Sequence, residues 1–330
     1  MKKIRVGVVG VGRLGQHHAR IYAEMPNTEL IGVVDTDAPR AAKVAKSCAT
    51  QGLFDHRMLL DEVDAVSIAV PTTSHYPIAR DFLTNGVHAL IEKPIAATVA
   101  EARELVDLAR EKNLVLQAGH IERFNAAIIR LREIVKDPVF IEVHRLGPYD
   151  PRVQDVGVVL DLMIHDLDII LEVVKSPARS IDAVGVAIFS DKEDIANARI
   201  HFENGCIANL TASRITPKKT RKIRFFQEDT YISVDYVKPS MEIYRKQAVP
   251  NPRPGSPSVE IVRKRVRLKG QEPLKAELDH FIECVTQGVP PQVTGEKARD
   301  ALALAVEISE MIKRNGRVYP PQATPAKKKK

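Results

Sequence analysis

One stretch of the chain, VVLDLMIHDLDII at residues 158–170, places three aspartates and a histidine among large apolar side chains. An ionised carboxylate buried without a partner costs several kcal/mol or more, so these acids require either a partner or a function. At about 3.6 residues per turn of an α-helix, Asp161, His165, Asp168 and Glu172 fall within about 60° of one another. Apolar residues fill nearly all of the remaining circumference. The pattern therefore predicts a largely buried helix whose narrow polar stripe lines a cleft.

From the residues alone, this stripe has three possible uses: a reaction centre, a metal site, or a buried Asp–His pair that does no chemistry. A metal site is disfavoured because there is no HExxH-type set and no cysteine nearby, and we expect no metal. Asp161 and His165, at the beginning of the helix, are the candidates for catalysis. For Asp168, structural hydrogen bonding explains the residue as well as function does, and the sequence offers no explanation of Asp166.

A second candidate site is the glycine-rich segment GVGRLG, which follows a strand-like run and opens a helical pattern. Gly10 allows a tight turn, Gly12 lets a pyrophosphate approach the backbone, and Gly15 brings helix and strand together. The pyrophosphate then lies at the helix N-terminus. Asp35, twenty residues beyond Gly15, would bind the adenosine ribose, and its charge would repel a 2′-phosphate, so the sequence predicts NAD rather than NADP. The predicted loop contacts are Gly10, Gly12, Arg13, Leu14 and Gly15.

The next two strand ends carry further polar residues, and ligands of such folds bind at the carboxyl ends of parallel strands. Pro71, Thr72 and His75 follow one of these strands, and Glu92 and Lys93 end the other. We expect all five to lie on the cofactor side. Lysine is seldom buried without a partner, and Lys93 would point to where the nicotinamide must lie.

Hydrophobic periodicity indicates two domains. Residues 1–120 alternate continuous apolar strands with helical patterns, which predicts an α/β, doubly wound parallel sheet of the Rossmann type. Residues 121–318, including two closing helices, predict an α+β domain with an open, mostly antiparallel sheet. Asn204-Gly205 predicts a type I′ hairpin within it. The open face of that sheet needs cover, so we expect a homo-oligomer, a dimer or a tetramer.

Composition limits the partners. The net charge is +7, and four of the positive charges lie in the Lys327–Lys330 run of a tail, 319–330, that we expect to be disordered. Binding to nucleic acid or to a membrane is therefore not expected, and no apolar run approaches the ~20 residues of a bilayer span. Three scattered cysteines and the lack of an apolar signal core predict a reduced, cytoplasmic protein.

The chain contains three motifs together: GxGxxG, Glu92-Lys93-Pro94 and Asp161-x-x-x-His165. With these motifs it resembles the Gfo/Idh/MocA oxidoreductases over residues 3–315. The resemblance implies that Lys93, Asp161 and His165 serve the reacting carbon of a sugar or cyclitol. His165 would be the general base, Asp161 would orient it, and Lys93 would stabilise the charge that develops on the oxygen. The segment GHIERFN at 119–125 matches the family's crossing between domains, which places Glu122 and Arg123 at the substrate or nicotinamide.

Further stretches, such as HRLGPYDPR, resemble one branch of the family, which oxidises the C3 hydroxyl of UDP-N-acetylglucosamine for lipid A assembly. The resemblance implies a UDP-sugar substrate and a partner aminotransferase that acts on the product. Oxidation of a free cyclitol or monosaccharide, such as inositol, and a non-catalytic NAD-sensing role are the alternatives. The candidate anchors for the nucleotide part of the substrate are His144, Arg145, Arg152 and Arg214, and for each of them an ordinary surface or salt-bridge role is the alternative.

Overall fold

The computed structural model describes residues 3–149, 156–250, 258–268 and 270–315. Within these ranges, no helix combines the length and the apolar character that crossing a membrane requires. Arg152 and the tail at 319–330 lie outside the described residues.

Contacts within the chain divide it into two compact units. The first comprises Met1–Phe124 with Gly270–Ala303, and the second comprises Asn125–Lys269 with Leu304–Lys330. Each unit has its own β-sheet. The change of pattern near residue 120 lies close to the first division. The sequence interpretation differs from the structure in assigning everything from 121 to 318 to one domain, whereas the chain returns to the first unit at Gly270.

The first sheet has six parallel strands in the order β3-β2-β1-β4-β5-β6, which is the predicted doubly wound arrangement. β4 is buried at all four of its residues because sheets of this kind carry helices on both faces. The strand order reverses between β1 and β4, the point at which such sheets bind ligands. The strands are β1 (Ile4–Val9), β2 (Thr28–Val34), β3 (Gln51–Leu53), β4 (Ala65–Ile68), β5 (His88–Glu92) and β6 (Leu116–Gly119).

The α-helices of the described residues are α1 (Gly15–Glu24), α2 (Ala38–Ser47), α3 (His75–Thr84), α4 (Val99–Glu111), α5 (Ala126–Ile134), α6 (Ile164–Val174), α7 (Pro273–Gln287) and α8 (Gly295–Arg314). Leu278 and Phe281 of α7 share one buried core with Val6 of β1 and Tyr22 of α1. The apolar stripe of α7 was visible in the sequence, but the surface that it covers was not. For this reason the sequence placed α7 in the wrong half of the molecule.

The second sheet has eight strands in the order β14-β13-β12-β11-β7-β10-β9-β8. Its neighbouring strands are antiparallel, except that β7 and β10 are parallel, so the predicted open, mostly antiparallel sheet is confirmed. The strands are β7 (Phe140–Leu146), β8 (Ala178–Val186), β9 (Ile195–Phe202), β10 (Ile207–Ser213), β11 (Thr220–Phe226), β12 (Thr230–Asp235), β13 (Ser240–Ala248) and β14 (Val259–Arg267).

The turn between β9 and β10 is a hairpin, as expected, but it is not type I′. A type I′ turn needs positive φ at both central residues, and only Gly205, at +88°, has one. The Gly205 N–H donates to the Phe202 carbonyl, and the Phe202 N–H donates to the Cys206 carbonyl. This is a three-residue loop with Gly205 in the left-handed position, a common alternative that the Asn-Gly pair alone does not distinguish.

Candidate active site

The glycine-rich turn at residues 10–15 connects β1 to α1 and forms the predicted pyrophosphate site, called the cradle below. Gly10 has a φ of +84°, and a Cβ at Gly15 would overlap the carbonyl oxygen of Gly10, so both positions require glycine for internal reasons. A Cβ at Gly12 would meet nothing within 4 Å. Gly12 therefore faces open space beside the first turn of α1, where backbone N–H groups bind a pyrophosphate. The residues present fit a dinucleotide.

Replacing Gly12 by alanine should weaken NAD binding by about tenfold or more, because the methyl group occupies space that the pyrophosphate needs. The melting temperature of the ligand-free variant should match that of the wild type, since the added Cβ touches no other atom. Calorimetric titration with NAD and thermal unfolding together check this result. An unchanged affinity for NAD would show that the pyrophosphate does not lie on this turn.

Asp35 lies just beyond β2, at the position predicted for the ribose-binding acid, and only 7% of it is exposed. Its carboxylate accepts the N–H of Val11 at 3.0 Å and the N–H of Asp37 at 2.9 Å. Arg40, which the sequence interpretation did not identify, lies 3.3 Å from both carboxylate oxygens. Asp35 therefore holds the glycine-rich turn in place, in addition to any contact with a ribose.

His75 differs from expectation because it is buried inside the first unit. Its Nδ1 lies 2.8 Å from the carbonyl oxygen of Pro94, and its Nε2 lies 2.9 Å from that of Val70. Burial lowers the pKa of His75, although both carbonyl contacts and the charge of Glu92 oppose this shift. The neutral imidazole has one N–H, which can donate to only one of these two carbonyl oxygens, and its buried position between the segments that follow β4 and β5 explains its presence without a cofactor contact.

The remaining predicted residues of the first unit have different environments. Pro71 is exposed and Thr72 is half-buried, at the start of a short 3₁₀ helix, Thr72–Ser74. Glu92 is buried at the end of β5, and Lys93 is half-buried beside it. Glu122 and Arg123 are buried in another 3₁₀ helix, Ile121–Phe124. Their assignment to substrate or nicotinamide stays a prediction.

In the second unit, the predicted catalytic helix begins with a π-helical turn, Val159–Met163, which continues into α6. A π-turn advances through a smaller angle per residue than an α-helix does. The angle between Asp161 and His165 around the helix axis therefore differs from the one that α-helical spacing predicts. Both side chains are half-buried, whereas Asp168 is buried. The sequence did not reveal this turn, and π-turns frequently occur at functional sites.

The far end of the polar stripe is an ion pair. Glu172 Oε1 accepts from Arg132 of α5 at 2.7 Å. This pair and the burial of Asp168 indicate that the deeper half of the stripe serves packing. Asp161 and His165 remain as the candidates for chemistry.

A buried clamp fixes the chain that enters this helix. The Arg214 guanidinium donates to Asp194 Oδ1, to Ser190 Oγ and to the carbonyl oxygen of Val156, each at 2.8 Å. Burial would raise the pKa of Asp194, but N–H groups of Ile188 and Phe189, together with Arg214 and Ser190, lower it to about 2. Arg214 was predicted to anchor substrate. Its burial and these three contacts instead make it a structural residue that holds the start of the helix predicted to be catalytic.

Asp166, which the sequence left unexplained, forms a buried ion pair with Arg145 of β7. Nε and Nη2 of Arg145 donate to the two carboxylate oxygens at 2.6 and 2.9 Å. Arg145 is therefore not available as the predicted substrate anchor. Adjacent strand residues point to opposite faces, so His144 lies on the face of the sheet away from α6. Arg152, the remaining predicted anchor, lies outside the described residues.

Within the described residues, no group of three or more histidine, cysteine or acidic side chains is arranged to hold a metal ion. Lys93 of the first unit and Asp161 and His165 of the second unit stay the predicted proton-transfer groups. These side chains can accept a proton, orient an imidazole and stabilise an oxyanion.

Comparisons with known proteins agree with the fold and the dinucleotide cradle. Residues 4–120 match the model of the Gfo/Idh/MocA oxidoreductase family, NAD-binding Rossmann fold, and residues 137–233 match the Gfo/Idh/MocA C-terminal domain. The chain is 40% identical to UDP-N-acetylglucosamine 3-dehydrogenase of Acidithiobacillus ferrooxidans over 93% of this chain and 97% of that protein. A solved structure of that enzyme superposes with a TM-score of 0.87 at 38% identity, covering 95% of this chain and 99% of that one. scyllo-Inositol 2-dehydrogenase (NAD⁺) of Bacillus subtilis is 26% identical over 95% of both chains.

Proposed function

The chain belongs to the Gfo/Idh/MocA family of NAD-binding oxidoreductases. We propose that it oxidises the C3 hydroxyl of a UDP-N-acetylhexosamine, and that this substrate is UDP-N-acetylglucosamine. The observation that carries this proposal is the 40% identity to a UDP-N-acetylglucosamine 3-dehydrogenase over almost the full length of both chains. Inositol dehydrogenases share less identity with this chain. The presence of Lys93, Asp161 and His165 supports catalysis rather than a purely sensing role.

In the proposed reaction, the C3–H bond breaks with its electron pair while the C3–OH loses a proton. The nicotinamide, when bound, supplies the hydride acceptor. His165 takes the hydroxyl proton as general base, and Asp161, one turn earlier, orients the imidazole and stabilises its protonated form. The Lys93 ammonium group donates to the same oxygen while negative charge develops there. The products are the 3-keto sugar nucleotide and NADH.

The direct test follows NADH absorbance after the enzyme, stripped of retained nucleotide, is mixed with NAD and UDP-N-acetylglucosamine. Hydroxylamine, which captures ketones, removes the product so that an unfavourable equilibrium does not hide turnover. Parallel reactions contain scyllo-inositol, myo-inositol or free N-acetylglucosamine. We expect rapid reduction of NAD with the UDP-sugar alone. Rapid reduction with an inositol and none with the UDP-sugar would replace this proposal by the cyclitol dehydrogenase alternative.

We also propose that two copies of the chain associate through the open face of the second sheet, which is the face away from α6. Phe140, Phe226, Tyr231 and Tyr244 form a ladder of half-buried rings across β7, β11, β12 and β13, with neighbouring centroids 5.0–5.5 Å apart. Adjacent aromatic rings of this kind are enriched at protein interfaces. Light scattering should give at least the mass of a dimer, and the mass of a monomer would contradict this part. A cytoplasmic location and an aminotransferase that consumes the ketone complete the proposal.

A further inference from the structure

A chain of buried polar groups lies beneath the end of β5. The Tyr22 hydroxyl lies 3.3 Å from Ser67 Oγ, which lies 2.9 Å from Nδ1 of His18. Nε2 of the same imidazole faces Glu92 Oε1 at 3.3 Å. The other carboxylate oxygen, Glu92 Oε2, accepts the backbone N–H of Lys93 at 3.3 Å. The chain thus connects the core of the first unit to the backbone of the proposed catalytic lysine.

Glu92 is confined between two neighbours. On one side is His18 of α1, which is completely buried. On the other is Gly119 of β6, where an added Cβ would lie 2.9 Å from both Cδ and Oε2 of Glu92. The atoms nearest to such a Cβ all belong to the Glu92 carboxylate. The glycine therefore provides the space in which this carboxylate lies, and no larger residue would leave it there.

The charge of Glu92 depends on the same neighbours. Burial alone would raise the pKa of Glu92, but the polar contact and charge of His18 and the charge and N–H of Lys93 outweigh burial and lower it. Nε2 of His18 and Glu92 Oε1 are 3.3 Å apart and form an electrostatic contact without the geometry of a hydrogen bond, and a proton on Nε2 makes this contact attractive. Without it, one oxygen of a buried carboxylate loses its favourable neighbour, and the side chain is free to rotate or to become protonated.

We infer that His18 is a positioning residue for Lys93: it holds the Glu92 carboxylate against Gly119, and Glu92 in turn fixes the Lys93 backbone from which the ammonium group is directed. On the other side of Lys93, Nδ1 of His75 lies 2.8 Å from the carbonyl oxygen of Pro94. Buried histidines therefore lie at both ends of the segment Glu92–Pro94. This inference rests on the proposed role of Lys93.

The test compares three variants at this position of the fold. His18→Leu removes the N–H that faces Glu92, whereas His18→Gln keeps an amide N–H that can face the same oxygen. Gly119→Ala leaves His18 intact and displaces the Glu92 carboxylate directly. We expect kcat to fall about tenfold or more in His18→Leu and Gly119→Ala, because a catalytic group displaced by ~1 Å loses up to about 100-fold. The Kd for NADH, measured by its fluorescence, should stay within about twofold, and His18→Gln should recover most of the lost kcat.

His88→Leu is the matched control. His88 begins the same strand, β5, and its Nδ1 accepts the N–H of Val115 at 2.9 Å. Its loss should lower the melting temperature without changing kcat. If His88→Leu and His18→Leu lower kcat equally, or if His18→Gln recovers nothing, then His18 acts only through stability and the inference is wrong. If His18→Leu does not fold, the Gly119→Ala variant decides, and an unchanged kcat there also overturns the inference. Turnover by a Lys93→Met variant would instead refute the proposed role of Lys93.

Discussion

Replacing Lys93 by methionine is expected to lower kcat by about 100- to 1,000-fold and to leave the Kd for NAD within about threefold of the wild-type value. Methionine keeps much of the length and apolar stem of lysine but removes the ammonium group. The developing negative charge on the substrate oxygen then loses a donor in the transition state, whereas we expect cofactor binding to depend mainly on the glycine-rich turn and Asp35. Steady-state kinetics with saturating NAD and calorimetric NAD titration measure the two quantities.

Lys112→Met is the control for this experiment. Lys112 is exposed at the C-terminal end of α4, so its loss should change neither quantity. Lys93→Arg tests geometry separately, because arginine keeps the positive charge but presents a planar fork instead of a compact ammonium group. We expect Lys93→Arg to remain severely impaired. Wild-type turnover by the methionine variant would remove Lys93 from the mechanism and would favour the non-catalytic, NAD-sensing alternative.

Replacing Asp194 by asparagine is expected to lower the free energy of unfolding by about 3–5 kcal/mol, because the buried guanidinium of Arg214 loses its counter-charge. The same change loosens Arg214 from the carbonyl of Val156, just before the helix that carries Asp161 and His165. We therefore expect kcat to fall as well. Urea unfolding and steady-state kinetics measure the two effects.

The pH dependence of stability gives a second measurement on Asp194. The pKa of its carboxyl is about 2 in the folded protein, below the ordinary value of 3.8. The unfolded state therefore binds the proton more tightly, and the contribution of Asp194 to stability is fully present above about pH 4 and is lost as the pH falls towards 2. The asparagine variant should lack this component, so its stability should fall less steeply between pH 4 and pH 2.

Glu142→Gln is the matched control, since Glu142 pairs with Arg224 at a partly exposed position on the second sheet. Partly exposed pairs contribute about 0–1 kcal/mol, so this variant should unfold close to the wild type. Equal urea midpoints for Asp194→Asn and Glu142→Gln would contradict the view that the contacts of Arg214 with Asp194 and Val156 hold the helix predicted to be catalytic.

The sequence alone determined those features whose physics is local. Strand and helix periodicity predicted the parallel sheet because burial on both faces leaves continuous apolar runs. The spacing of Gly10, Gly12 and Gly15 predicted the cradle because a tight turn and a close helix approach must be built from neighbouring residues. The Asn204-Gly205 hairpin was located correctly, but its loop length was not, since one Asn-Gly pair suits more than one loop.

Only the tertiary structure decided which polar groups are paired within the protein. Arg145 and Arg214 have the charge expected of nucleotide anchors, yet Asp166 and Asp194 neutralise them inside the second unit. His75 has the position of a cofactor contact, yet its ring is buried between two carbonyl oxygens of the first unit. No sequence pattern points to His18, but it faces Glu92, which lies 74 positions further along the chain. Periodicity shows which side chains face inward, but only the packing of distant segments determines the partner that each buried charge meets.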